Sequence, residues 1–261
     1  MSTPTTDLAT LKQHLRDLAA RIDKFRTSFD ASKDSRAIFA YTYVLITRQL
    51  AEALETAGFT DPAWIVQLAE AFATRYIAAI ECASRSSGLS PAWAAVFETT
   101  RKKRTTVIED LLFAMTAHIV HDLPLALINV GMRDANGVSH IHDFHQMNEV
   151  LAINIQAVTN AVTGRYEPFF RWLDHLEEKN AQVFTNYGFR ISRGMAWYNA
   201  NRLLDPASAI AALAAINKSV AVLIEDVRRP PIWSVRILLR AFRWLASFFR
   251  RWPIDDRPRD W

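Results

Sequence analysis

The stretch AMTAHIVHDLPLALINVG, Ala114 to Gly131, reads as a helical run of core residues into which two histidines and an aspartate have been set, with Pro124 just after them. Nine residues further on, HIHDFHQMN (His140 to Asn148) packs in three more histidines and another aspartate, so the two stretches hold five of the seven histidines. The fold follows from what surrounds them. Half of the 261 residues are hydrophobic and only seven are glycine, which leaves few of the tight turns that antiparallel hairpins require.

Apolar spacing of three and four dominates from Thr6 onward. Leu8, Leu11, Leu15, Leu18 and Ile22 predict a first helix to about Phe29, and Asp34 to Thr56 a second, ended by Gly58. A third starts near Pro62 and reaches Ser84, and SPAW places Ser90 as cap and Pro91 as first residue of another. TTRKKRTT reads as a solvated helix end or turn. Val107 to Val130 is the long central segment, GMRDANGVS a loop, and Asp143 to Val162 the next helix, interrupted by TGRYEP. Two further segments, FFRWLDHLEEKNAQVFTNYGFRISRGMAWYNANRLL and DPASAIAALAAINKSVAVLIEDV, complete an all-α bundle of seven or eight helices over residues 1–227. No second domain boundary is visible before residue 228, and no period of 20 to 50 residues repeats.

Residues 228–261 differ. They hold nine arginines against three aspartates, a net of +6 that leaves residues 1–227 at −2. RRPPIWSVRILLRAFRWLASFFRRW predicts an amphipathic helix with Arg236, Arg240, Arg243, Arg250 and Arg251 on one side. Leu238, Phe242, Trp244, Phe248, Phe249 and Trp252 lie on the other. Three arginines at the centre of a bilayer would cost about 8–10 kcal/mol against about 4–7 kcal/mol returned by the apolar residues, so the segment does not span. Lying in the interface suits both faces, which predicts an anionic membrane surface as partner. The competing arrangement docks the aromatic face on the bundle and leaves the arginines in water. A nucleic-acid role is the weakest, because arginines alternating with core-type aromatics lack a base-stacking platform. The N-terminus has no basic start followed by an apolar core, and the single Cys82 sits in an apolar run. Both predict a cytoplasmic protein without a secretory signal.

His118 and Asp122 stand four apart, one helical turn above each other, with His121 beside them. The short loop to the next helix predicts antiparallel neighbours, which would bring Asp143 near Asp122. On that reading His118, Asp122 and Asp143 ligate a divalent metal (zinc, iron or manganese), His121 or His145 moves protons, and Arg193 steadies an anion. The alternative is a buried His118–Asp122 lock with Asp143 as an N-cap and His140, His142 and His145 toward solvent. Function therefore divides three ways. The first is a metal-dependent hydrolase of phosphoester or lipid-ester substrates at a membrane surface. The second is a non-catalytic helical module binding a lipid, small ligand or partner. The third is a non-haem iron oxygenase built on two histidines and Asp122.

Taken in order, FATRYIAAI, PAWAAVF, AMTAHIVHDLPLALINVG, HDFHQMNEVL and ISRGMAWYNANRLL resemble a bacterial family catalogued as domain of unknown function 5995, over residues 72–204. The resemblance implies a polar centre of His118, Asp122, Asp143 and Asn148, joined by Arg193 and Trp197, and leaves the arginine tail outside. The HxxxD pair is also weakly similar to the all-helical zinc-dependent phospholipase C and P1 nuclease group. There a glycine precedes the aspartate and further histidines follow it; here His121 and PLALIN stand in those places.

Overall fold

The computed structural model describes residues 7–85, 87–101, 105–168 and 178–252, the side chains of residues 178–187 excepted. Lys102–Arg104 of the basic run and the start of the segment after Pro168 lie outside them. The chain is all-α: α1 Leu8–Ala31, α2 Arg36–Ala53, α3 Pro62–Arg85, α4 Pro91–Arg101, α5 Val107–Thr116, a π-helical turn Ala117–Asp122, α6 Leu123–Val130, α7 Ile141–Tyr166, α8 Glu178–Leu204, α9 Ala209–Arg228 and α10 Trp233–Phe249. Among the described residues no strand forms beyond the isolated bridge between Arg133 and Ser139. The helix expected to stop at TGRYEP runs on through Gly164 to Tyr166, since one glycine inside a packed helix costs only about 1 kcal/mol.

The continuous helix from Val107 to Val130 is the hub. By length and composition it could cross a membrane, but 67 % of its most apolar window is buried within the bundle. Its π-helical turn packs against α3, α4, α8 and α9. α1 lies along α2, pressing Leu11, Leu15, Leu18 and Ile22 into the core. The first turn of α5 is a capping box: Thr106 Oγ accepts from the Glu109 amide at 3.1 Å while Glu109 accepts from the Thr106 amide at 2.9 Å.

Pro124 explains the π-helical turn. It lacks an amide hydrogen, so the regular ladder cannot continue through it, and the Leu123 amide reaches back five residues to the His118 carbonyl. At the far end Gly131, at φ 85°, closes α6. The short loop that follows does not make α6 and α7 neighbours, as its length suggested. α6 packs chiefly on α8 and α3, while α7 packs on α2. The Arg133–Ser139 bridge folds the loop on itself, and the start of α7 is instead tied to the entrance of α3.

Candidate functional site

The widened turn at Ala117–Asp122 puts both imidazoles on one carboxylate. His118 Nδ1 lies 2.9 Å from Asp122 Oδ2 and His121 Nδ1 lies 2.8 Å from Oδ1. Trp93 of α4 donates its indole N–H to Oδ2 at 2.8 Å. Asp122 is 2 % exposed and serves three donors. Burial opposes its ionisation, but the hydrogen bonds from the two imidazoles outweigh that and hold the carboxyl below its usual range. Burial pushes the His118 imidazole below its ordinary value despite Asp122, so this ring is neutral near pH 7, with its Nδ1 hydrogen on the carboxylate. Half-buried Arg75 adds its field to Asp122 while donating to the Leu125 carbonyl.

Aromatic rings enclose His118. Phe72 stacks on it with ring centres 3.5 Å apart and planes at 6°, and Tyr43, Phe39 and Tyr76 stand at 5.0, 5.5 and 5.9 Å. His118 Nε2 and the hydroxyls of Tyr43 and Tyr76 are buried without a hydrogen-bond partner among the described residues. Burial raises both phenols, so they stay protonated. Chemically this is an imidazole oriented by a carboxylate, with its free nitrogen facing an aromatic shell.

Asp143 belongs elsewhere. Both its oxygens are taken at 2.7 Å by the backbone amides of Thr60 and Asp61, which fixes the loop leading into α3. It neither joins the His118–Asp122 centre nor caps its own helix. Among the described residues no group of three or more histidines, cysteines and carboxylates is disposed to hold a metal. The donor set His118, Asp122 and Asp143 is thus not assembled, because α6 and α7 diverge. His145 is exposed, and its nearest polar partner is Asn148 at 3.4 Å. His140 stacks on Trp64 with ring centres 4.5 Å apart, and His142 is exposed.

Arg193 and Asn148 do meet. Arg193 donates to Asn148 Oδ1 at 2.6 Å and to the Phe144 carbonyl at 3.0 Å, with its guanidinium 4.3 Å from the centre of the Phe144 ring. Trp197 packs on the same ring at 5.0 Å. Burial brings the guanidinium pKa down to about 9. These four residues clamp α8 onto α7, apart from the Asp122 centre.

The C-terminal helix carries the second site. Arg243 grips Glu109 at 2.9 and 3.1 Å and also donates to the Arg228 carbonyl at 3.1 Å. Arg250 pairs with Asp110 at 3.0 Å and donates to the Thr105 carbonyl at 2.7 Å. Trp252 packs on Tyr166 at 6.2 Å. Beside them Glu167 accepts from the Val107 amide at 3.1 Å. Burial raises Asp110 to about 6 and Glu167 to about 7. The helix is therefore held through Arg243, Arg250 and Ala246, with Phe242, Leu245 and Phe249 half-buried and Trp252 packed on the core, while Arg236 and Arg240 stay exposed. Outward, at helical spacing, stand Trp233 (71 % exposed), Ile237 (57 %), Trp244 (66 %) and Phe248 (66 %). Arg228 and Arg229 at the end of α9, with Arg236, Arg240 and Arg243, line a cleft of about 280 Å³.

Three partners escaped sequence reading. Trp93 and Phe72 carry no polar pattern that ties them to His118. Glu109 had a legible signal in TxxE before an apolar run, but its arginine partner lies 134 residues away.

A family model described as a family of unknown function, DUF5995, matches residues 15–230, most of the chain, and the chain belongs to that family. The match ends before α10 begins. No curated protein and no solved structure matches the chain.

Proposed function

We propose that this member of the DUF5995 family is a helical binding module that works at an anionic membrane surface, with α10 as its contact element and His118–Asp122 as a buried polar lock. One observation carries the reading: α10 is fastened by Arg243 and Arg250 while Trp233, Ile237, Trp244 and Phe248 face water along one stripe. Sinking that stripe into the headgroup boundary is worth on the order of 4–6 kcal/mol at the usual value per buried apolar side chain. Arginines near an anionic surface add about 1 kcal/mol each. Such a module would sit at the cytoplasmic face.

The metal-dependent hydrolase has less to rest on, since the oxygens of Asp122 and Asp143 already serve protein donors. The iron oxygenase needs two histidines and a carboxylate with atoms free to ligate, whereas His118 and His121 both turn Nδ1 to Asp122 and occupy its oxygens, and His145 lies with Asn148 on α7.

Flotation with phosphatidylcholine vesicles containing 30 mol% phosphatidylserine, a composition of about that anionic content, tests the proposal. The intact chain is expected to float, and the Trp233→Ala/Trp244→Ala/Phe248→Ala variant to bind at least about tenfold more weakly. Equal flotation of the two proteins, or none by either, overturns it.

A further inference from the structure

The arginines around the α9–α10 turn are more numerous than attachment requires. α9 ends at Arg228, the chain reverses through Pro230 and Pro231, and α10 returns, so that Arg228, Arg229, Arg236, Arg240 and Arg243 converge from two helices on one cleft. Among the described residues, two carboxylates contact them. Glu225 pairs with Arg228 at 3.1 Å and Arg229 at 3.3 Å, and Glu109 holds Arg243. Arg236 donates to the Pro231 carbonyl at 3.1 Å, which stiffens the turn. Among the described residues, five guanidiniums against two carboxylates leave an excess of positive charge facing one space. That space, about 280 Å³, holds the equivalent of about nine waters at liquid density. A phosphomonoester with a short attached alcohol is of that size.

We infer that this cleft is a binding site for a phosphomonoester group, presented as the headgroup of a lipid such as phosphatidate. Three features point to that chemistry. Guanidinium forks from two directions match the several oxygens of a dianionic phosphate, which a monoanionic diester or a carboxylate satisfies less well. Arg236 and Arg240 flank the stripe of Trp233, Ile237, Trp244 and Phe248 on the same helix, so an anchored acyl glycerol has apolar surface beside the charge. Finally, Arg243 bridges Glu109 and the cleft, which ties occupancy to the way α10 is fastened. The lipid source of the phosphate rests on the membrane-surface reading above, whereas the phosphate site itself does not.

The test uses the full chain and phosphatidylcholine vesicles containing either phosphatidate or phosphatidylserine, adjusted to the same surface charge. A second arm titrates soluble glycerol 3-phosphate by calorimetry. The variant is Arg229→Lys/Arg240→Lys, which preserves charge but removes the planar forks and spares the Arg243–Glu109 attachment. The expected result is a preference of roughly tenfold for phosphatidate in the intact chain, the scale of one or two charge-assisted hydrogen bonds, falling toward unity in the variant. Binding to phosphatidylserine should persist in both proteins. Binding of glycerol 3-phosphate that the variant loses, without any preference among vesicles, supports the phosphomonoester site and assigns it a soluble source. Equal affinity for both vesicles together with no glycerol 3-phosphate binding overturns the site while leaving surface attachment standing. Failure to bind any vesicle with glycerol 3-phosphate still bound would instead remove the membrane reading and keep the site.

Discussion

Arg243 near the end of the chain and Glu109 in the first turn of the central helix form a forked pair, 2.9 and 3.1 Å from one guanidinium nitrogen to the two carboxylate oxygens. The pair joins the arginine-rich segment to the hub of the bundle across 134 residues of sequence. Glu109→Gln keeps the capping box, in which glutamine also serves, and weakens only the charge pair. Amide hydrogen exchange over Trp233–Phe249 should then quicken by about tenfold or more, the scale of a lost charge-assisted bond, while exchange in α1 and α2 stays unchanged. Unaltered exchange in the last helix would show that other contacts hold it.

Asp122 accepts from Trp93, His118 and His121, and asparagine offers a single acceptor oxygen to those three donors. Asp122→Asn should cost about 3–5 kcal/mol, as expected when one partner of a buried charged network is removed. Thermal denaturation reads this as a fall of roughly 10 °C in midpoint. A midpoint within a degree of the intact chain contradicts the lock.

Metal gives a separate test. Because both oxygens of Asp122 and both of Asp143 already serve donors, adding zinc, manganese or ferrous iron to the intact chain should leave its denaturation midpoint where it was. A rise that scales with metal concentration, the mark of a ligand that favours the folded state, would restore the hydrolase reading.

Asp110 and Glu167 make stability depend on pH in a defined direction. Their folded-state values, about 6 and about 7, stand above those of the unfolded chain because burial disfavours the anions. Their contribution is complete below the ordinary carboxyl range, near pH 4, and is lost as pH rises through 6 and 7. Glu167→Gln removes one of the two titrations. It should flatten the pH profile between about 4.5 and 7 and raise stability at pH 8 by about 1–3 kcal/mol, measured by urea denaturation across that range. A variant whose profile matches the parent shows that Glu167 titrates normally.

Arg193 is buried, and among the described residues its hydrogen-bond partners are the Asn148 side chain and the Phe144 carbonyl, neither of them a carboxylate. A double-mutant cycle of Arg193→Ala and Asn148→Ala should give a coupling of about 1–3 kcal/mol, the range for a hydrogen bond with one charged member. Additive losses would mean that the two side chains hold α7 and α8 independently.

Several of these relationships were written in the sequence and several were not. Leu11, Leu15, Leu18 and Ile22 announce their helix by spacing alone, and all four are buried. His118 and Asp122 are close because four residues make about one helical turn, so that contact is local. Pro124 signalled an interruption, and the interruption is a π-helical turn that also swings His121 onto the carboxylate. Asp143 could not be placed the same way, because a loop's length does not say which helix the next one packs on. The amides at Thr60 and Asp61 decide that.

The tail separates the two kinds of information most clearly. Its charge, its helicity and its two faces are periodic properties of one segment, and the sequence by itself determined them. Which face turns inward is not periodic. It depends on carboxylates that the capped start of α5 gathers far away in the chain, because a buried acid needs a cation. Only the tertiary structure brought Glu109 and Asp110 under Arg243 and Arg250, and so left Trp233, Ile237, Trp244 and Phe248 facing water.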